Sequence, residues 1–187
     1  IREEGPKSHQ AKRGTPTMGG VLILGAVVAS TLLWSNLGNP YVWIALFGMM
    51  SFGAIGFADD YRKILRKHNL GLTGRQKLLL QFASSAVIGL MLFFLTPYTS
   101  ALQFPFITVD WFSPVQFWPI YVLFLMFVIV GCSNAVNLTD GLDGLAISVT
   151  FITTTALPGF TYVTSHQTFA DYLGLAHNPQ VGELTIF

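Results

Sequence analysis

Apolar positions in this chain fall in long unbroken runs. Met18 to Trp34 is one run, Tyr41 to Ala58 a second and Leu78 to Leu95 a third. A fourth lies in the uncharged stretch between Asp110 and Asp140, best placed from Trp118 to Val136, and a fifth spans Leu145 to Val163. A helix rises about 1.5 Å per residue, so roughly 20 apolar residues cross a hydrocarbon core of about 30 Å. The pattern predicts an all-α fold, a polytopic membrane bundle with about five transmembrane helices. Pro158 is expected to kink the fifth helix or end it early, and Val181 onward to open a sixth. The stretch from Thr96 to Phe117 is rich in aromatics and β-formers, and reads as an interfacial segment or short hairpin.

Composition supports the membrane reading, with 52% hydrophobic and 10% charged residues against about 25% charged in a soluble domain. The chain starts at Ile1 and its last residues, GELTIF, stop as an apolar run begins, so a fragment cut at both ends is expected. Cys132 is the only cysteine. It cannot form an intrachain disulfide and is expected as a small apolar residue packed between helices.

All ten basic residues sit in two clusters. Arg2, Lys7, Lys12 and Arg13 precede the first run; Arg62, Lys63, Arg66, Lys67, Arg75 and Lys77 separate the second from the third. Two spans lie between the clusters, which places both on one side, and the positive-inside rule makes that side cytoplasmic. Residues 59–77 and 137–144 are then cytoplasmic loops, 1–17 a cytoplasmic arm and 96–117 an external loop.

The acidic residues that matter are Asp59, Asp60, Asp140 and Asp143, because the topology brings two separate pairs to one membrane face. Adjacent carboxylates repel each other and resist desolvation, so a cation or a proton must compensate any that are partly buried. A hard ion such as Mg²⁺ takes oxygen ligands, commonly one or two carboxylates with water and phosphate. Equally, Asp59 and Asp60 can end a helix among the headgroups with Arg62 and Lys63 as partners. The stretch NAVNLTDGLDG spaces Asn134, Asn137, Asp140 and Asp143 by three residues. The two asparagines are expected on the last helical turns facing the interior, and Asp140-Gly141-Leu142-Asp143-Gly144 as a loop lining a pocket. The N-terminal KRGTPTMGG, Lys12 to Gly20, pairs a basic arm with a segment that resists regular helix. It suits an anionic group at the surface, although a helix start capped by Thr17 fits as well. The four histidines lack metal-ligand spacing.

Taken together, KRGTPTMGG, FADDYRK and NAVNLTDGLDGLA resemble the bacterial phospho-MurNAc-pentapeptide transferases, a branch of the polyprenyl-phosphate N-acetylhexosamine-1-phosphate transferase superfamily. The resemblance runs through the whole chain. It implies a multi-pass enzyme of the bacterial inner membrane with ten transmembrane helices, a homodimer whose active site faces the cytoplasm. Such an enzyme transfers phospho-MurNAc-pentapeptide from UDP-MurNAc-pentapeptide to undecaprenyl phosphate, using Mg²⁺ and releasing UMP, to form lipid I for peptidoglycan. No nucleic-acid partner is expected.

By the same resemblance Asp59 and Asp60 are the catalytic pair and metal ligands, with Asp59 deprotonating the lipid phosphate or acting on it directly. Asp140, Gly141, Leu142 and Asp143 match the nucleoside pocket, and Asn134 and Asn137 its helical support. Lys12, Thr17 and Lys63 match substrate contacts; Arg75 and Lys77 match less closely. The family's first helix and everything after the start of its sixth, including a further aspartate and a histidine-rich motif, lie outside this chain, so the 187 residues alone are expected to be inactive. Two alternatives stay open on the residues: a transferase of the same superfamily that uses another substrate such as UDP-GlcNAc, and a cation-coupled transporter.

Overall fold

The computed structural model describes residues 19–66, 71–97, 118–140 and 144–186. The helices are α1 (Gly19–Trp34), α2 (Pro40–Arg66), α3 (Gly74–Leu95), α4 (Trp118–Thr139), α5 (Leu145–Ser165) and the short α6 (Gln167–Leu173), followed by a 3₁₀ helix at Pro179–Thr185. No strand occurs among the described residues. Four of these helices, α2 to α5, are long and apolar enough to cross a membrane, while the apolar α1 has 16 residues. Large apolar side chains such as Leu22, Phe151 and Phe160 stay exposed along them. In lipid that surface carries no penalty, whereas in water it would drive aggregation. The chain is a multi-pass membrane protein.

Helices α1 to α4 run antiparallel in sequence order, as close approaches between them record. A Cβ on Gly53 of α2 would overlap Leu24 of α1, and one on Gly48 would touch Ile88 of α3 at 3.4 Å. Along α3 and α4, Phe93 stacks on Trp118 at 4.9 Å and Phe82 meets Phe127 edge-on at 5.4 Å. Between those aromatic contacts α3 buries Gln81, Ser85, Ile88 and Gly89. Small residues there let the backbones close in, because dispersion and hydrogen bonds, not hydrophobicity, hold helices together in lipid. The Gln81 amide bonds Asn134 at 2.8 Å and Ser133 at 3.3 Å, each such bond contributing roughly 0.6–2 kcal/mol in a membrane.

Several elements differ from the sequence expectation. α2 does not stop at Ala58 but continues to Arg66, because Lys63 lies three and four residues after Asp60 and Asp59 and pairs with both along the helix. α5 runs through Pro158 to Ser165 without ending early. Its threonine and serine hydroxyls bond carbonyls of the preceding turn, Thr161 to Pro158 among them. Val181, where a sixth helix is expected to open, lies in a 3₁₀ helix whose start is capped by Asn178 and fixed by Pro179. Cys132 is exposed rather than packed between helices, since α4 turns its neighbours Ser133 and Asn134 toward α3. The expected interfacial segment lies outside the described residues beyond Pro97.

The 3₁₀ segment is fastened at the bundle end opposite Asp59. Asn178 N–H donates to Thr164 O at 3.0 Å on α5. Its side-chain amide donates to Tyr41 Oη at 2.7 Å, while Asn39 Nδ2 donates to Gln180 O at 2.7 Å and Asn36 N–H to Glu183 Oε1 at 2.6 Å.

The α3–α4 contact is tightest at Gly89, where an added Cβ would lie 2.9 Å from Val122 Cγ1. Gly89→Leu is expected to destabilise the bundle by about 1–3 kcal/mol through overpacking. Thermal unfolding in detergent measures this, and Val122→Ala in the same chain should recover part of the loss.

Candidate active site

Antiparallel packing brings the C-terminal ends of α2 and α4 and the first turns of α3 and α5 to one end of the bundle. On α2, Asp59 and Asp60 sit on consecutive positions of regular helix, one turn before Lys63. The Lys63 ammonium bridges them, 2.6 Å from Asp59 Oδ2 and 3.0 Å from Asp60 Oδ1. The other Asp59 oxygen accepts the Leu72 N–H at 2.6 Å. Asp59 is therefore held on both oxygens and its side chain is 19% exposed, whereas that of Asp60 is 54% exposed.

The loop that supplies Leu72 is set by α3. Thr73 and Gln76 form a capping box, the Thr73 hydroxyl accepting from Gln76 N–H and the Gln76 carbonyl oxygen from Thr73 N–H. Arg62 Nη1 donates to the same Gln76 oxygen at 3.3 Å and ties α2 to the cap. A Cβ on Gly71 would overlap the Asp59 carboxylate and lie 2.9 Å from the Asp59 backbone oxygen, so only glycine admits this approach. The T-x-x-Q spacing from Thr73 to Gln76 is the sequence signal that marks this start of helix.

Beside the cluster, α2 to α5 enclose an open cavity of about 440 Å³. Lys77 and Gln81 of α3, Asn137 of α4 and the following Asp140 line it, with Gly56 and Ile147 closing two sides. α4 ends at Thr139, and Gly144 takes φ 85° to start α5. That left-handed turn needs glycine. Asn134 lies half-buried behind the wall and Asn137 faces the open space.

The site residues named above thus fall into two groups. Asp59, Asp60 and Lys63 form one cluster; Asn137 and Asp140 share the cavity with Lys77. No hydrogen bond or ion pair joins the groups among the described residues, although the Lys77 charge acts on Asp59 through space. Asp60 opens instead onto a second groove of about 360 Å³, between α1 and α2. Lys12, Thr17, Gly141, Leu142 and Asp143 lie outside the described residues. Gln81 and Ser133 escaped the sequence reading, and Lys77 stood low in it. A single polar residue in a leucine run is the signal for Gln81.

No group of three or more His, Cys, Asp or Glu surrounds a common point among the described residues. A metal at this end would take one or two carboxylates and complete its shell with water and phosphate. That oxygen set suits Mg²⁺, and Asp60, with the more exposed carboxylate, is the readier donor.

Gly71→Ala is expected to force the loop off Asp59 and break the Leu72 hydrogen bond. Hydrogen–deuterium exchange should then rise at residues 71–73 while α4 stays protected. Unchanged exchange there would show that the approach of Gly71 to Asp59 does not hold the loop.

The sequence pattern of glycosyl transferase family 4 matches residues 42–179. Signature 1 of phospho-N-acetylmuramoyl-pentapeptide-transferase matches residues 12–24. Curated relatives carrying that enzyme's name match the chain over its whole length. The one from Koribacter versatilis is 52% identical, with 53% of its own length covered. Those from Solibacter usitatus and Desulfatibacillum aliphaticivorans are 46% and 49% identical, with 53% and 51% of their lengths covered. The chain spans about half the length of these relatives. With the pattern matched from α2 into the 3₁₀ helix, the chain belongs to glycosyl transferase family 4.

Proposed function

We propose that the full-length protein transfers phospho-MurNAc-pentapeptide from UDP-MurNAc-pentapeptide to undecaprenyl phosphate, forming lipid I and UMP. It works as a homodimeric enzyme of the bacterial inner membrane with this end of the bundle facing the cytoplasm. One observation carries the reading: relatives named for that activity are about half identical along the entire chain. The geometry supports it, since a polar cavity and a carboxylate pair stand side by side at one end of a membrane bundle. A water-soluble nucleotide sugar and a membrane-bound phosphate can meet only at such a boundary. Arg62, Lys63, Arg75 and Lys77 stand at that end too, in keeping with the positive-inside rule.

Each described residue then has a task. Asp59, held by Leu72 N–H and Lys63, takes the proton from the lipid phosphate or acts on it directly. Lys63 and Lys77 offset the charge of the reacting phosphates, the main demand in phosphoryl transfer. Lys63 can do so only by loosening its grip on the pair, so phosphate and carboxylates compete for one ammonium. Asn137 and Asp140 offer hydrogen bonds to the nucleoside, continued by Gly141, Leu142 and Asp143, and Asn134 supports them. Lys12 and Thr17 contact substrate from the N-terminal arm. Mg²⁺ held by Asp60 with Asp59 would draw charge off the phosphates and orient them.

In detergent with Mg²⁺, the full-length protein is expected to release UMP and form lipid I from UDP-MurNAc-pentapeptide and undecaprenyl phosphate. UDP-GlcNAc should give no lipid-linked product, and product from it alone would move the protein to another branch of the superfamily. Asp59→Asn should lower kcat by about 10²–10⁴-fold, the usual loss on removing a general base. The 187-residue chain alone should form no product.

A further inference from the structure

Gln81 is 2% exposed and stands eighth in α3, behind three leucines. Both ends of that amide engage α4. Gln81 Oε1 accepts from Asn134 Nδ2 at 2.8 Å, and Gln81 Nε2 donates to Ser133 Oγ at 3.3 Å. The direction of this chain is not arbitrary. Asn134 Nδ2 also donates to the Val130 carbonyl at 2.9 Å, and a carbonyl can only accept. The Asn134 amide is thereby fixed with nitrogen toward Val130, so Gln81 must present its oxygen to Asn134 and its nitrogen to Ser133. Both N–H groups of Asn134 are then used inside the bundle.

We infer that Gln81 is a positioning residue for the nucleotide-sugar side of the site: its two-point grip on Ser133 and Asn134 sets the rotation of α4 that turns Asn137 and Asp140 into the cavity. Asn137 and Asp140 follow Asn134 by three and six residues, so a rotation of α4 about its axis displaces both together. Gln81 and Ser133 themselves line the cavity wall, and the Ser85 hydroxyl donates to the Gln81 backbone oxygen at 2.8 Å, tying the next turn of α3 to the same point. The carboxylate pair is not part of this grip. Losing Gln81 therefore acts on one substrate and spares the other.

The inference rests on the transferase reading, and the experiment separates the two. In the full-length protein, Gln81→Leu is expected to raise deuterium exchange across residues 134–140. It should lower kcat/KM for UDP-MurNAc-pentapeptide about 10- to 100-fold, the scale of a displacement near 1 Å, chiefly through KM. KM for undecaprenyl phosphate should stay within about twofold, because Asp59, Asp60 and Lys63 are untouched. Gln81→Glu retains an acceptor for Asn134 and should recover most of the loss. A purely structural role would lower kcat with the folded fraction and leave both KM values and the exchange unchanged, which would overturn the inference. If Gln81→Leu does not fold, Ser133→Ala removes the second arm of the grip and should raise the same KM several-fold; an unchanged KM then decides against it. A wild-type protein that turns over no UDP-MurNAc-pentapeptide defeats the transferase reading, while the exchange of residues 134–140 still decides whether Gln81 sets α4.

Discussion

Inside a bilayer a polar group has no solvent to fall back on, so every buried donor must find its acceptor within the protein. Apart from the buried Thr31 hydroxyl, which has no partner among the described residues, the bundle meets this constraint by sorting its chemistry along the membrane normal. Backbone groups are absorbed by the helices, and the serine and threonine hydroxyls of α5 bond carbonyls one turn back, as Ser148 does to Gly144. What cannot be absorbed locally is gathered at the two ends or paired across helices. Gln81 with Asn134 is the case in which such pairing also aims a helix.

The carboxylate end shows the same economy with charge. Two adjacent aspartates on one turn repel each other, and a single ammonium between them leaves the cluster one negative charge. Lys77 adds a second positive group nearby, on a different helix. The carboxylate pair is thus nearly balanced by ammonium groups on two helices, and these can be repartitioned. A rigid, fully satisfied ion-pair lattice would lack that freedom.

The apolar runs were legible because bilayer crossing demands length and low charge, both visible residue by residue. Asp59–Asp60 and the Asn134–Asp143 spacing were legible for the opposite reason, since charge at the end of such runs needs a cause. What escaped depended on partners distant in sequence. Gln81 is one polar letter among leucines, and only the approach of Asn134, on another helix, gives it meaning. The persistence of α2 past Asp59 was hidden because charge clusters were read as loops, although the Lys63 spacing favours helix as much as it marks sidedness. Cys132 was placed inside by the general habit of cysteine, which says nothing about which face of α4 its neighbours claim.

The polar fastening at the far end bears on the cavity although it lies a membrane thickness away. Through the 3₁₀ segment, α5 is anchored at its C-terminal end to the start of α2 by Asn178, Asn39 and their partners. At its N-terminal end no residue of α5 is buried, yet Ala146, Ile147 and Thr150 wall the cavity. The α5 wall of the cavity is thus positioned by this joint at its far end and by the short link to α4 at its near end. Polar bonds on one leaflet therefore share in setting the width of a cavity that opens on the other.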